Sequence, residues 1–130
     1  FIPTQKTLWY FKKPGKGYEQ VKTKTAQLTE LPVVLLVDEK TVAAAEMLAV
    51  SFKRTRRGTL IGRKTFGKAS AAKFVKQADG TTERVTTAEF FIRPGQPITG
   101  RGILPNIKMP ADATPEQFIE KAVKVLQKKI

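Results

Sequence analysis

The first strand-like run of the chain is Thr7-Leu-Trp-Tyr-Phe11, and Tyr18 to Lys24 alternates as a returning strand, with the turn formers Lys13-Pro-Gly-Lys-Gly17 between them. That pattern predicts a β-hairpin. Leu31-Pro-Val-Val-Leu-Leu-Val37 is a continuous apolar run, short and rich in β-branched residues, so it is expected as a central strand buried on both faces of a partly parallel sheet. From Val42 to Phe52 the only polar residues are Glu46 and Ser51, which predicts a helix packed almost all round, with Thr41 as its N-cap. The basic stretch Lys53 to Arg57 suits the negative end of that helix dipole.

Gly58-Thr-Leu-Ile-Gly62 predicts a short strand, and Arg63-Lys-Thr-Phe-Gly-Lys68 a polar loop in which Gly67 permits backbone geometry that other residues avoid. Lys73-Phe-Val-Lys76, the turn at Ala78-Asp-Gly80, Arg84-Val-Thr-Thr87 and Glu89-Phe-Phe-Ile92 predict β-ribbons, followed by the irregular Arg93-Pro-Gly-Gln-Pro97. A last helix is expected over Pro115 to Lys129. Thr114-Pro-Glu-Gln117 forms a capping box ahead of Phe118, Ala122, Leu126 and Ile130 at i, i+4 spacing. These elements predict an α/β fold, a mixed twisted sheet with the first helix packed against it and the second closing one side.

Composition narrows the chemistry. With 41% hydrophobic residues in 130 and no long apolar run, the chain is expected to be one small domain or a piece of one, with no membrane-spanning helix. It begins at Phe1, and no charged-then-apolar leader precedes the first strand. There is no Cys and no His, so disulfides, thiolate chemistry and imidazole bases or ligands are excluded within these residues, leaving Lys, carboxylates, hydroxyls and backbone. The net charge of +13 raises the question of a nucleic-acid or anionic-membrane partner. The 24 basic residues are spread along the whole length, densest at Lys53, Arg54, Arg56 and Arg57, without aromatic interleaving or a nucleic-acid-binding motif, so no specific nucleic-acid binding is expected.

Thr41-Val-Ala-Ala-Ala-Glu46, Gly62-Arg-Lys-Thr-Phe-Gly-Lys68, Asp79-Gly80, Thr86-Thr-Ala88 and Gly100-Arg-Gly-Ile-Leu-Pro-Asn106 run in register over about a hundred residues. In that order they resemble the C-terminal processing, or tail-specific, serine peptidases, whose corresponding elements read S-A-S-A-S-E, G-x-x-T-F-G-K, D-G, T-T-A and G-x-G-I-x-P-D. Thr41-x-x-x-Ala-Glu-Met47 is similar to the helix start of the nisin-resistance branch. The resemblance implies that residues 1–130 are the C-terminal portion of a catalytic domain with a ClpP/crotonase-like core, incomplete on its N-terminal side. It also implies an extracytoplasmic enzyme acting on protein or peptide C-terminal tails, with no cofactor and no metal.

Carried over by position, the family's nucleophilic serine falls on Ala43 and its general-base lysine, 25 residues later, on Lys68, while the backbone N–H of Ala44 falls where an oxyanion donor is expected. A methyl group cannot attack a carbonyl, so the chain as written is expected to be inactive. A lysine serves as base only when its amine is neutral. The resemblance places a second oxyanion donor in a glycine loop upstream of Phe1. Two further departures are Ala72, where many members carry a glutamine four residues after the lysine, and the lack of the histidine that acts as base in the nisin-resistance branch. An alternative is a non-catalytic peptide-binding pseudopeptidase that captures a strand on an exposed sheet edge. A third is a charge-driven binder of anionic surfaces, whose affinity would collapse with salt. Away from these positions, Ala45 is expected in the helix core, Glu46 as a salt-bridge or capping partner, and Trp9 and Tyr10 as sheet packing.

Overall fold

The alternating N-terminal segments form the expected hairpin, β1 (Thr7–Lys12) and β2 (Tyr18–Lys22), in a computed structural model that describes residues 1–130. The apolar run becomes β3 (Val33–Val37) and the Ala-rich segment α1 (Ala44–Arg54), which leads into β4 (Gly58–Gly62). β5 (Ser70–Lys76) and β6 (Thr82–Arg93) make a second, longer hairpin. The two ribbons expected at Arg84 to Thr87 and Glu89 to Ile92 are therefore one continuous strand. Short strands β7 (Gln96–Pro97) and β8 (Ile107–Lys108) precede α2 (Pro115–Gln127).

The α/β class is as expected, with the strands divided between two sheets. An antiparallel sheet runs β2-β1-β6-β5 with β7 beside β6, and a parallel one runs β3-β4-β8. β3, α1 and β4 form a β-α-β unit, with Val33 opposite Gly58 and Val37 opposite Gly62. α1 packs against both β1 and β4, so the core lies where the helix meets the two sheets. Ala49, Val50 and Phe52 of α1 join Val37, Leu60, Ala69, Ile98 and Ile103 there. Trp9 packs against this core as expected. Tyr10 sits in the sheet opposite Phe91, with the Arg54 guanidinium over its ring, 5.0 Å from centroid to Cζ.

Four sequence expectations are corrected. β3 is an edge strand, since β4 occupies the centre of the parallel sheet, and Leu36 is 44% exposed. Apolar content alone cannot report which neighbours a strand finds. Thr41 is not the N-cap of α1. Its hydroxyl accepts from the Asp38 N–H at 3.0 Å, the helix opens at Ala44, and Ala45 is exposed rather than buried. At the other end of the chain α2 stops at Gln127, which leaves Ile130 outside the helix and 94% exposed.

The start of α2 follows the sequence closely. The Thr114 hydroxyl accepts from the Gln117 N–H at 3.3 Å, and the Gln117 side chain accepts from the Thr114 N–H at 2.8 Å. Buried Phe118 anchors the helix, which packs on β3 and β4. Thr114→Ala is expected to lower stability by about 1 kcal/mol, the usual loss for a removed N-cap hydroxyl, read as a fall in thermal midpoint by circular dichroism.

Candidate active site

The turn between β3 and α1 is the most strained backbone of the helix starts. Ala43, the N-cap of α1, has φ 55° and ψ −119°. A residue with a Cβ avoids this region, and holding it there costs roughly 1–3 kcal/mol that surrounding contacts must offset. Those contacts are on hand. The Ala43 N–H donates to the carbonyl of Lys68 at 3.0 Å and to a carboxylate oxygen of Glu46 at 3.2 Å. The Ala43 side chain has no oxygen, so only the Glu46 half of a capping box exists. The first turn stays open to solvent, with Ala43, Ala44 and Ala45 all exposed. The Ala44 N–H finds no acceptor within the chain, as befits one of the orphan donors at a helix N-terminus, where the dipole favours negative charge.

Glu46 is the fixture of this region. It is fully buried, at 0% exposure. Its Oε1 accepts from the Thr65 hydroxyl and the Gly67 N–H, each at 2.6 Å, and its Oε2 accepts from the Lys68 N–H at 2.9 Å as well as from Ala43. The expected capping role is thus present, but the salt bridge is not: all four donors are neutral. One carboxylate ties the helix start to the loop at 65–68, residues that lie 19 to 22 positions away. Sequence reasoning understated Glu46, although one acidic residue inside an otherwise apolar helix is the signal that a buried site must satisfy it.

Thr65 extends the network, since its hydroxyl also accepts from the Ile103 N–H at 2.7 Å. The loop at 100–103 is pressed onto the loop at 65–68 so closely that two glycines interlock. Gly67, at φ +87°, would place a Cβ 2.8 Å from the Gly102 nitrogen, and Gly102, at φ +67°, would place one 2.3 Å from the Thr65 carbonyl oxygen. Gly102→Ala is therefore expected to destabilise by about 2–4 kcal/mol, from overpacking plus the left-handed backbone, seen as a lowered urea midpoint.

The fold thus brings Ala43, Ala44 and Lys68 together. Lys68 joins the site through its backbone on both sides, N–H to Glu46 and carbonyl to Ala43, while its exposed side chain makes no hydrogen bond or ion pair within the chain. Ala72 sits on β5 opposite Thr86, just past a bulge, and adds no polar group near Lys68. Chemically, the arrangement offers an exposed position on a strained turn, a free N–H beside it and a lysine in the adjoining loop.

Residues 1–109 match the family model described as peptidase family S41. The carboxy-terminal processing protease CtpA of Bacillus subtilis is 30% identical over 108 residues, which are 83% of this chain and 23% of that protein. The chloroplastic C-terminal processing peptidase of Tetradesmus obliquus is 33% identical over 84 residues, 65% of this chain and 18% of the relative. Among solved structures, a photosystem II D1 C-terminal processing protease superposes with a TM-score of 0.72 at 26% identity, over 96% of this chain and 32% of that one. The chain spans about a quarter or less of the length of these curated relatives.

Proposed function

Because the chain belongs to peptidase family S41, we propose that it forms part of the active site of a serine peptidase that processes protein or peptide C-termini, with Ala43 at the nucleophile position. Lys68 is then the general base and the Ala44 N–H one oxyanion donor. In this assignment the chain as written is inactive, since no hydroxyl stands where the acyl carbon would be attacked. The observation that carries the proposal is the backbone of Ala43. A non-glycine residue at φ 55° and ψ −119° at the mouth of a helix is the geometry of a nucleophile elbow, which lifts one side chain clear of the surface beside a free helix-terminal N–H. An alanine in open structure gains nothing from such strain; a nucleophile position does. No helix is long and apolar enough to cross a membrane, and the extracytoplasmic location implied by the resemblance is proposed with the activity.

A second reading, peptide capture without cleavage, draws support from β5. That strand is the outer edge of the antiparallel sheet and begins two residues after Lys68, so its unpaired N–H and C=O groups are open to strand addition beside the site.

Acylation separates the two. In the full-length protein, Ala43→Ser is expected to be labelled by a serine-directed fluorophosphonate, detected by mass spectrometry at residue 43, and the additional change Lys68→Ala should abolish the labelling. Labelling that survives Lys68→Ala would remove Lys68 from the mechanism. No labelling at residue 43, with folding intact, would leave peptide capture as the function.

A further inference from the structure

A cleft of about 680 Å³ opens between the C-terminal half of α1 and residues 100–104, and its walls carry Lys53, Arg54, Lys64, Arg93 and Arg101 but no Asp or Glu. From this juxtaposition of five cations with the apolar side chains of Val50, Ile92, Ile103 and Leu104, we infer that the cleft docks an acidic, apolar-interleaved polypeptide segment.

Two of the cations are held in place by the fold. The Lys53 amine donates to the Leu104 carbonyl, and Arg54 donates to the Ile92 carbonyl at 2.9 Å while stacking on Tyr10. Burial holds the Lys53 amine below the usual lysine range. The other three, Lys64, Arg93 and Arg101, are exposed and make no side-chain hydrogen bond or ion pair. The chain's one ion pair, Arg63 with Glu39, involves none of the five. A concave surface lined by one sign of charge concentrates field lines and counter-ions, so its natural partner is anionic.

The wall chemistry selects the kind of anion. No aromatic side chain lines the cleft, so it lacks the stacking platforms on which single-stranded nucleic acids depend. Leu104, 52% exposed, and half-buried Ile92 give a polypeptide's apolar side chains somewhere to bury, over a floor of buried Val50 and Ile103, and guanidinium and ammonium donors match carboxylates. Lys53 and Arg54 sit at the end of α1, roughly 15 Å along its axis from the helix start, while Lys64 and residues 100–103 bring the opposite wall up to the loop at 65–68. With alanine at position 43, binding is read without turnover.

Fluorescence anisotropy of a labelled peptide of alternating Glu and Leu tests the inference, with a Lys and Leu peptide and an oligothymidylate of equal formal charge for comparison. The triple variant Lys64→Glu, Arg93→Glu, Arg101→Glu is set against a control of the same charge change at exposed sites elsewhere, Lys16→Glu, Lys22→Glu, Lys24→Glu. The acidic peptide is expected to bind, more weakly as salt rises, and the cleft variant to lose about tenfold or more in affinity beyond the control, a few-fold per reversed charge. Equal losses in both variants would reduce the effect to overall charge and overturn the inference. Absence of binding would overturn it too. Tighter, cleft-dependent binding of the oligothymidylate would reassign the cleft to nucleic acid. Circular dichroism of both variants confirms that each is folded.

Discussion

With serine at position 43, the full-length protein is expected to degrade an unfolded protein substrate about four to six orders of magnitude faster than the alanine form, the range over which removing a serine nucleophile acts. The sequence as it stands should give only the residual rate of the oxyanion donors and substrate binding. With Lys68 as the general base, Lys68→Ala in the serine form is expected to lower the rate by about 10²–10⁴. A serine form no faster than the alanine form, with its fold intact, would detach position 43 from the chemistry.

Glu46→Leu is expected to produce the largest loss of stability of any single substitution at the site. Leucine fills similar space but accepts nothing, so the Thr65 hydroxyl and the N–H groups of Ala43, Gly67 and Lys68 lose a partner at once. A buried unsatisfied donor costs about 1–3 kcal/mol, and with partial relief by entering water the sum is about 3–5 kcal/mol. Set against a typical total of about 5–15 kcal/mol, that brings the protein near its unfolding threshold. Urea denaturation should show a sharply lower midpoint with an unchanged slope, the signature of lost stability rather than a changed denatured state. A shift under about 1 kcal/mol would mean that the carboxylate is replaceable, contrary to its geometry.

What could be read from the sequence was what neighbouring residues decide. The β1–β2 hairpin, β4 and the capped start of α2 depend on turn residues, short apolar runs and a local box of hydrogen bonds, and each was legible. The edge position of β3 was not, because strand order is set by partners distant in sequence. Thr41 lost the cap of α1 for a related reason: intrinsic preference favours a hydroxyl, but the Lys68 carbonyl and Glu46 fix the turn two residues later. Motif order singled out positions 43, 44 and 68, and the structure puts the backbones of Ala43 and Lys68 in contact. Glu46 inside an apolar helix signalled a buried partner, but the clamp's extent was not legible, since three of its four donors come from a loop whose path only the folded chain defines.

The bond from the Ile103 N–H to the Thr65 hydroxyl spans 38 residues, and the seat of Gly102 against Thr65 depends on the same stretch. Contacts of such long sequence separation form late, after the entropy of closing the intervening loop has been met. During synthesis, the helix start and the lysine loop would leave the ribosome well before the segment that locks them. The turn at Ala43 and the loop at 65–68 would thus take their final seat only once residues 100–103 have docked.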